Sequence, residues 1–342
     1  MQIKYNPEEV EKFRQKNFGR ISHFKDLIDR YVEFAPTIQD RRIKFGFPSI
    51  DNYLRITPTD NIMIVSKTSG KKTQIARNIV LNNEELLKKQ LIIVFSLELL
   101  EEDEIERYLS PIMNVSSQEI EKRFAERDKE FIKKAYEMSG KYDNVVTVTD
   151  TVDIADIIPF VMYIEHLTEK RAGLIVVDYM QLIEDVEHKD EFRIISSVAK
   201  KFKKINLALK RNIIQISQVG RESAKNKDGL DVFSAKGSGN LENSAQIVLS
   251  LEMPDPLEIR KDKNTGRDIY PFGDLQTEIV EAINSNEFLE FHTLTIRKKK
   301  KYFLGVPKPT CIIQYDARNL RMTEYISRRN SNPLITNNNE PF

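Results

Sequence analysis

Six short, almost wholly apolar runs, set apart by stretches of helical periodicity, constrain this chain more than any other feature. They lie at 62–66, 91–96, 145–149, 174–178, 213–217 and 247–251. Between them, residues 73–87, 117–138, 154–170 and 191–210 carry the helical pattern. A strand that is apolar on both sides must be covered on both faces, and helical connections make neighbouring strands parallel. The expected fold class is therefore α/β: a parallel-core sheet with helices on both faces. Further strands are expected at 292–297 and 310–315, after a polar insertion at 253–287 rich in Pro, Asp, Lys and Gly.

Composition removes several classes of function. Lys and Arg number 53 against 52 Asp and Glu, a net charge of +1, so only local clusters can attract nucleic acid. The single cysteine, Cys311, excludes an intrachain disulfide and a cysteine-rich zinc site. The four histidines (His23, His166, His188 and His292) have no metal-ligand spacing. No apolar run approaches the roughly 20 residues that span a bilayer. The first residues, MQIKYNPEEVEKF, are too polar for a signal peptide. The expected setting is the reducing cytoplasm, with no membrane partner. Pro7 to about Phe34 reads as two charged amphipathic helices with few apolar residues to bury among themselves. This arm is either loosely attached or packs on a neighbouring subunit. The expected domains are the arm at 1–42, a main domain at 43–325 and a disordered Asn/Pro-rich tail at 326–342.

The stretch NIMIVSKTSGKKTQIARNI (61–79) has the layout strand, Ser/Thr/Gly/Lys loop, helix. That is the layout of a phosphate-binding loop, in which backbone N–H groups and a helix N-terminus surround phosphate oxygens and a lysine adds charge. The candidate residues are Ser66, Lys67, Thr68, Ser69, Gly70, Lys71, Lys72 and Thr73, with Lys72 as the phosphate lysine and Thr73 as the Mg²⁺ hydroxyl. Ser66 and Lys71 stand where the pattern has glycine, and Gly70 falls one position early. A lysine-rich turn joining a strand to a helix is the plainer alternative.

In an open α/β sheet, ligands bind at the carboxyl ends of the strands. The second run ends in Glu98, the fourth in Asp178, and the fifth in Ser217 and Gln218. Taken singly each is an ordinary polar cap. Together with Lys72 and Thr73 they suit a nucleotide hydrolase: Asp178 and Thr73 at the metal, Glu98 on the attacking water, Gln218 sensing the γ-phosphate. Two further features are basic. The run RKKKK at 297–301 follows an apolar strand; it is either a solvated hairpin tip or a cation reaching a neighbour's phosphate. The segment SAKGSGNLENSA places Lys236 beside Gly237 and Gly239, either a flexible turn or a loop that approaches a phosphodiester backbone closely.

These residues resemble the RecA-type motor domain of DnaB-type replicative helicases. The resemblance runs from about Ile43 to Thr323. Its carriers are FGFPSIDNYL, SLE at 96–98, LIVVDYMQLI, ISQVGRE, KGSGNLENSAQIVLSLE and IRKKKK. It implies a RecA-like fold, ATP (or another NTP) with Mg²⁺ as cofactors, and a homo-hexameric ring moving on single-stranded DNA, with a primase or helicase loader as a further partner. By position it implies that Glu98 is the catalytic glutamate, Asp178 the Walker B aspartate and Gln218 the sensor. Lys298 and Lys300 match the pair that reaches the adjacent nucleotide in trans, with lysine in place of arginine at 300. Lys236, Gly237 and Gly239 match the loop that holds the DNA strand. The arm matches a linker helix that docks on the next protomer, and the short region ahead of the motor matches the reduced forms of phages and mobile elements. An alternative stays open: a ring-forming DNA- or partner-binding protein with weak or no hydrolysis, on account of its altered phosphate loop. A recombinase-like filament is a third possibility.

Overall fold

Strand β1 (Asn61–Ser66) is buried along its whole length, and its side chains alternate between two separate cores. Ile62 and Ile64 join Ile75, Ile79 and Val80 of the helix Lys72–Leu81 on one face. Met63 and Val65 join Val161 and Phe202, from the helices Ile157–Thr168 and Glu191–Leu209, on the other. This double covering is why the strand is apolar at every inner position. The same alternation holds in β2 (Leu91–Ser96), while β3 (Val145–Thr149) is only half-buried and mixes valine with threonine, as suits a sheet edge. Strands β4 (Ala172–Asp178), β5 (Asn212–Gln218) and β6 (Ile247–Glu252) complete the parallel core. A short pair, β7 (Arg260–Lys261) and β8 (Asp268–Ile269), stands apart from the main sheet. Antiparallel strands β9 (Leu289–Lys298), β10 (Cys311–Asp316) and β11 (Arg321–Glu324) extend one side.

This computed structural model describes residues 6–16, 22–185, 191–218, 245–261, 265–299, 309 and 311–327. Among them the main sheet has nine strands in the order β11-β10-β9-β6-β1-β5-β4-β2-β3. The chain divides into two compact units, residues 1–41 and 42–342. In the first, the helix Phe24–Phe34 exposes Phe24, Leu27, Ile28, Tyr31 and Val32.

Three expectations need correction. The helix expected over 73–87 is two helices, Lys72–Leu81 and Glu84–Leu87. Asn82 and Asn83 break it: their amides donate to the carbonyls of Asn78 (2.8 Å) and Ile79 (2.6 Å), and Asn83 also donates to the carbonyl of Lys44 (2.7 Å). Such side chains compete with the helix for its own carbonyls. The helix expected over 117–138 is likewise two, Ser117–Ala125 and Lys129–Ser139, because the Asp128 carboxylate accepts from the N–H groups of Glu130 and Phe131 and starts a new helix. The insertion at 253–287 is not simply a polar loop. Its last part is the helix Gln276–Ser285, whose Ile279 and Ala282 bury against Phe272, Phe291 and Ile312 in a satellite core. A helix at Glu101–Met113 also forms that the sequence reading did not place.

Candidate active site

Strands β1, β5, β4 and β2 are consecutive neighbours whose carboxyl ends lie on one side of the sheet, with β1 and β5 running two residues past β4 and β2. Ser66 pairs with Gln218, and Ser96 pairs with Asp178. Each step between strands is about 4.8 Å, so groups from all four ends can meet one small ligand.

The loop after β1 closes on itself. The Gly70 N–H donates to the Lys67 carbonyl (3.0 Å), and the Ser66 hydroxyl donates to the Gly70 carbonyl (3.2 Å). Glycine is required at 70 by close approach: a Cβ there would press on the Ser66 hydroxyl and lie 2.9 Å from the Lys67 carbonyl oxygen. The left-handed backbone falls instead on Ser69 (φ 62°) and Lys71 (φ 60°). Lys71, at a position where the pattern has glycine, thus carries backbone strain on the order of 1–2 kcal/mol for a residue with a Cβ. The helix then starts at Lys72, and no side chain caps its first N–H groups. Those groups and the positive end of the helix favour an anion there.

Lys72 points along the strand ends. Its amine lies 3.4 Å from Glu98 Oε2 and 4.4 Å above the Tyr179 ring. The lysine side chain is 9% exposed and the glutamate 43%, so the pair sits at the mouth of the site. Burial, then Glu98 and Asp178, push the Tyr179 phenol up, so the ring under Lys72 stays uncharged. The Gln218 amide donates to the Thr68 hydroxyl (2.6 Å), which ties the end of β5 to the phosphate loop. Gln181 clasps the same end: its amide N–H₂ donates to the Gln218 carbonyl (2.9 Å) and its oxygen accepts from the Gln218 N–H (3.2 Å).

Asp178 lies deeper. Arg77, fully buried, donates to Asp178 Oδ2 (2.8 Å), Ser96 Oγ (2.9 Å) and Glu104 Oε2 (2.7 Å). Burial alone would lower the Arg77 guanidinium, but Asp178, Tyr108 and Glu104 together push it above its ordinary value. Asp178 Oδ1 is buried and has no hydrogen-bond partner among the described residues. On the far side of the loop, the Lys71 amine lies 3.1 Å from Glu290 Oε1 and 4.7 Å above the Tyr315 ring.

The structure therefore brings Ser66 to Thr73, Glu98, Asp178 and Gln218 to one edge. It does not bring Lys298 there. Lys298 pairs with Val248, at the opposite end of the sheet, eight residues along β9 from Glu290 and so roughly 27 Å away at strand rise. Lys236, Gly237, Gly239 and Lys300 lie outside the described residues. Sequence reading missed Arg77, Glu104, Tyr179, Gln181 and Glu290. Arg77 had a signal, an arginine amid Ile75, Ala76, Ile79 and Val80. Its partners, however, come from two other strands and a helix that no local pattern connects.

The residues present fit a nucleotide with Mg²⁺. The glycine-tight loop, an uncapped helix start, a lysine amine and the Thr73 hydroxyl suit phosphates, and the unpartnered oxygen of Asp178 suits a cation. Mg²⁺ commonly takes only one or two protein groups, completing its shell with water and phosphate. Among the described residues no cluster of three His, Cys, Asp or Glu could hold a metal unaided. Nor is any helix among them long and apolar enough to cross a membrane.

The comparisons agree with this geometry. The family described as "DnaB-like helicase C terminal domain" matches residues 43–299. The replicative DNA helicase DnaB of Geobacillus stearothermophilus is 24% identical over 258 residues, covering 72% of this chain and 56% of that protein. The DnaB of Nostoc sp. is 24% identical over 250 residues, covering 70% of this chain and 28% of the relative. The match thus spans about half or less of these relatives. Two solved structures share the fold. One, described as an ATPase domain, has a TM-score of 0.66 at 17% identity, covering 89% of this chain and 99% of that one. The other, a DnaB-like replicative helicase described with its interactions with primase, has a TM-score of 0.62 at 18% identity, covering 92% and 72%. Its RecA-like sheet and the extent of the family match together establish that this chain belongs to the DnaB-like helicase C-terminal domain family.

Proposed function

We propose that this chain is the motor of a ring-shaped DNA helicase, hydrolysing ATP or another NTP with Mg²⁺ while moving on single-stranded DNA in replication. One observation carries the reading: four adjacent strand ends converge, and the Lys72 amine stands 3.4 Å from the Glu98 carboxylate.

The loop N–H groups and Lys72 bind the phosphates. A bound phosphate competes with Glu98 for Lys72, and Glu98 is then released to take a proton from the attacking water. Thr73 and Asp178 would hold Mg²⁺, which when bound neutralises charge on the phosphate oxygens. Arg77 holds Asp178 in orientation through Oδ2, and leaves Oδ1 for the metal or its water. Gln218, bonded to Thr68 and clasped by Gln181, is placed to move with the loop when the phosphate leaves.

Lys298 serves a neighbouring copy. It sits at the end of the sheet opposite the phosphate loop, so it can complete another protomer's site only in a head-to-tail arrangement, which makes a ring where the rotation between copies closes and a filament where it does not. We assign Lys300 the same role and Lys236, Gly237 and Gly239 to DNA contact, on the resemblance of their segments. The exposed apolar face of the helix Phe24–Phe34 would dock on the next copy in a homo-hexamer, and a primase or loader is the further partner. The left-handed Lys71 supports a second reading, a ring that binds DNA or a partner and turns over nucleotide slowly.

DNA-stimulated ATP turnover by the wild-type chain and by Lys72→Ala separates these readings. Turnover abolished in the variant supports the motor. Equal turnover in both, or none in either, removes the enzyme; rings seen by electron microscopy without turnover leave the binding module. DNA affinity must also fall steeply with salt, because phosphate contacts release counterions.

A further inference from the structure

The two adjacent lysines of the loop diverge. Lys72 turns to Glu98 and Tyr179, whereas Lys71 crosses to strands β9 and β10. There it meets a prepared seat. Glu290 and Tyr315 are direct cross-strand partners, and they offer a carboxylate at 3.1 Å and a ring face at 4.7 Å. Behind them His292, wholly buried, lies 3.6 Å from the other Glu290 oxygen and edge-on to the Tyr315 ring at 6.2 Å. The seat is thus built on two paired strands of the sheet. It holds the one loop residue that stands at a glycine position of the phosphate-loop pattern, has a left-handed backbone and directly precedes the helix.

We propose that Glu290 is a positioning residue for the phosphate loop: by gripping the Lys71 side chain from β9, it holds Lys71 in the left-handed conformation that aims the helix N–H groups at a phosphate. In this chain a long-range ion pair does the work that glycine's conformational freedom does elsewhere. Lysine is suited to the task, since its flexible stem spans the gap and its ammonium meets both a carboxylate and an aromatic face. The effect on nucleotide rests on the reading above; the grip itself does not.

The test uses the full chain with Glu290→Gln, Lys71→Gly and the double variant. Calorimetric titration with Mg²⁺ and ADP should show Glu290→Gln weakening affinity by roughly twofold to fivefold, the range of one partly exposed ion pair. In the Lys71→Gly background, where the grip has no lysine to hold, adding Glu290→Gln should change affinity no further. Hydrogen exchange without nucleotide reads the grip directly. Amides at 67–73 should exchange several-fold faster in Glu290→Gln than in wild type, and no faster in the double variant than in Lys71→Gly. Unchanged exchange in Glu290→Gln, or an equal loss from Glu290→Gln in the Lys71→Gly background, overturns the proposal. If wild type binds no ADP, the nucleotide reading fails while the exchange experiment still decides the grip.

Discussion

The guanidinium of Arg77 lies 2.8 Å from the carboxylate of Asp178, and the two side chains are 0% and 2% exposed. The same guanidinium spans to Glu104 and Ser96, so one cation joins the helix after the phosphate loop to β2, β4 and the helix Glu101–Met113. Removing it leaves two buried carboxylates facing each other without a counter-charge. Arg77→Leu is expected to destabilise the fold by about 3–5 kcal/mol, the usual penalty for breaking a buried ion pair from one side. Guanidinium denaturation measures it, and a loss below about 1 kcal/mol would show that the carboxylates find relief elsewhere.

Gly70 makes a different prediction, because its backbone conformation is ordinary and its need is for space. In Gly70→Ala the new methyl meets the Ser66 hydroxyl and sits 2.9 Å from the Lys67 carbonyl. The loop must open to admit it. A stability loss of about 1–3 kcal/mol is expected, as for other overpacked sites, together with at least tenfold weaker Mg²⁺–ADP binding. Thermal denaturation and calorimetry read the two effects separately.

Glu98 and Lys72 should part company under mutation. Glu98→Gln removes the lysine's competing partner but not its charge, so nucleotide affinity is expected to hold or rise. Turnover should fall by about 10²–10⁴, the range for losing a general base. Lys72→Ala should lose affinity and turnover together. Equal turnover in Glu98→Gln and wild type would assign the proton transfer to another group.

The Lys71–Glu290 pair has a definite pH dependence. His292 beside it, opposed by partial burial and aided by Lys71, holds the Glu290 carboxyl below the ordinary glutamate range. A carboxylate depressed in the folded state contributes stability above its unfolded value of about 4.3, and that contribution disappears as pH falls through the lower folded value. The difference in melting temperature between wild type and Glu290→Gln is therefore expected to be flat from neutral pH to about 5 and to shrink toward zero below about 4. A difference that shrinks on the alkaline side would contradict the assignment.

The parallel core was legible because each strand there must hide both of its faces, which makes the runs predominantly apolar, with few polar positions such as Gln215 to confuse the pattern. Edges and breaks were less so. Asn82 and Asn83 look like tolerable helix residues until Lys44 is brought within reach of the Asn83 amide, and Asp128 begins a new helix through bonds to its own next residues. Ser66 to Thr73 could be placed on a strand–loop–helix by local order alone. Their exact conformation could not: the residue-by-residue pattern asked for glycine at 71, and the chain supplies glycine at 70 for clearance and a left-handed lysine at 71.

From its sequence alone this protein had a settled class of fold, a phosphate-loop candidate and a set of polar groups at strand ends, since all of these follow from short-range periodicity and from the rule that strand carboxyl ends face the ligand. Tertiary structure alone decided which groups touch. Strand order put β5 between β1 and β4, set Glu98 against Lys72, sent Lys298 to the far end, and joined Arg77 to Asp178 and Lys71 to Glu290. Those pairings link residues up to 219 positions apart, as between 71 and 290. They depend on how the strands are ordered and registered, which is a property of the whole packed sheet and of no single segment.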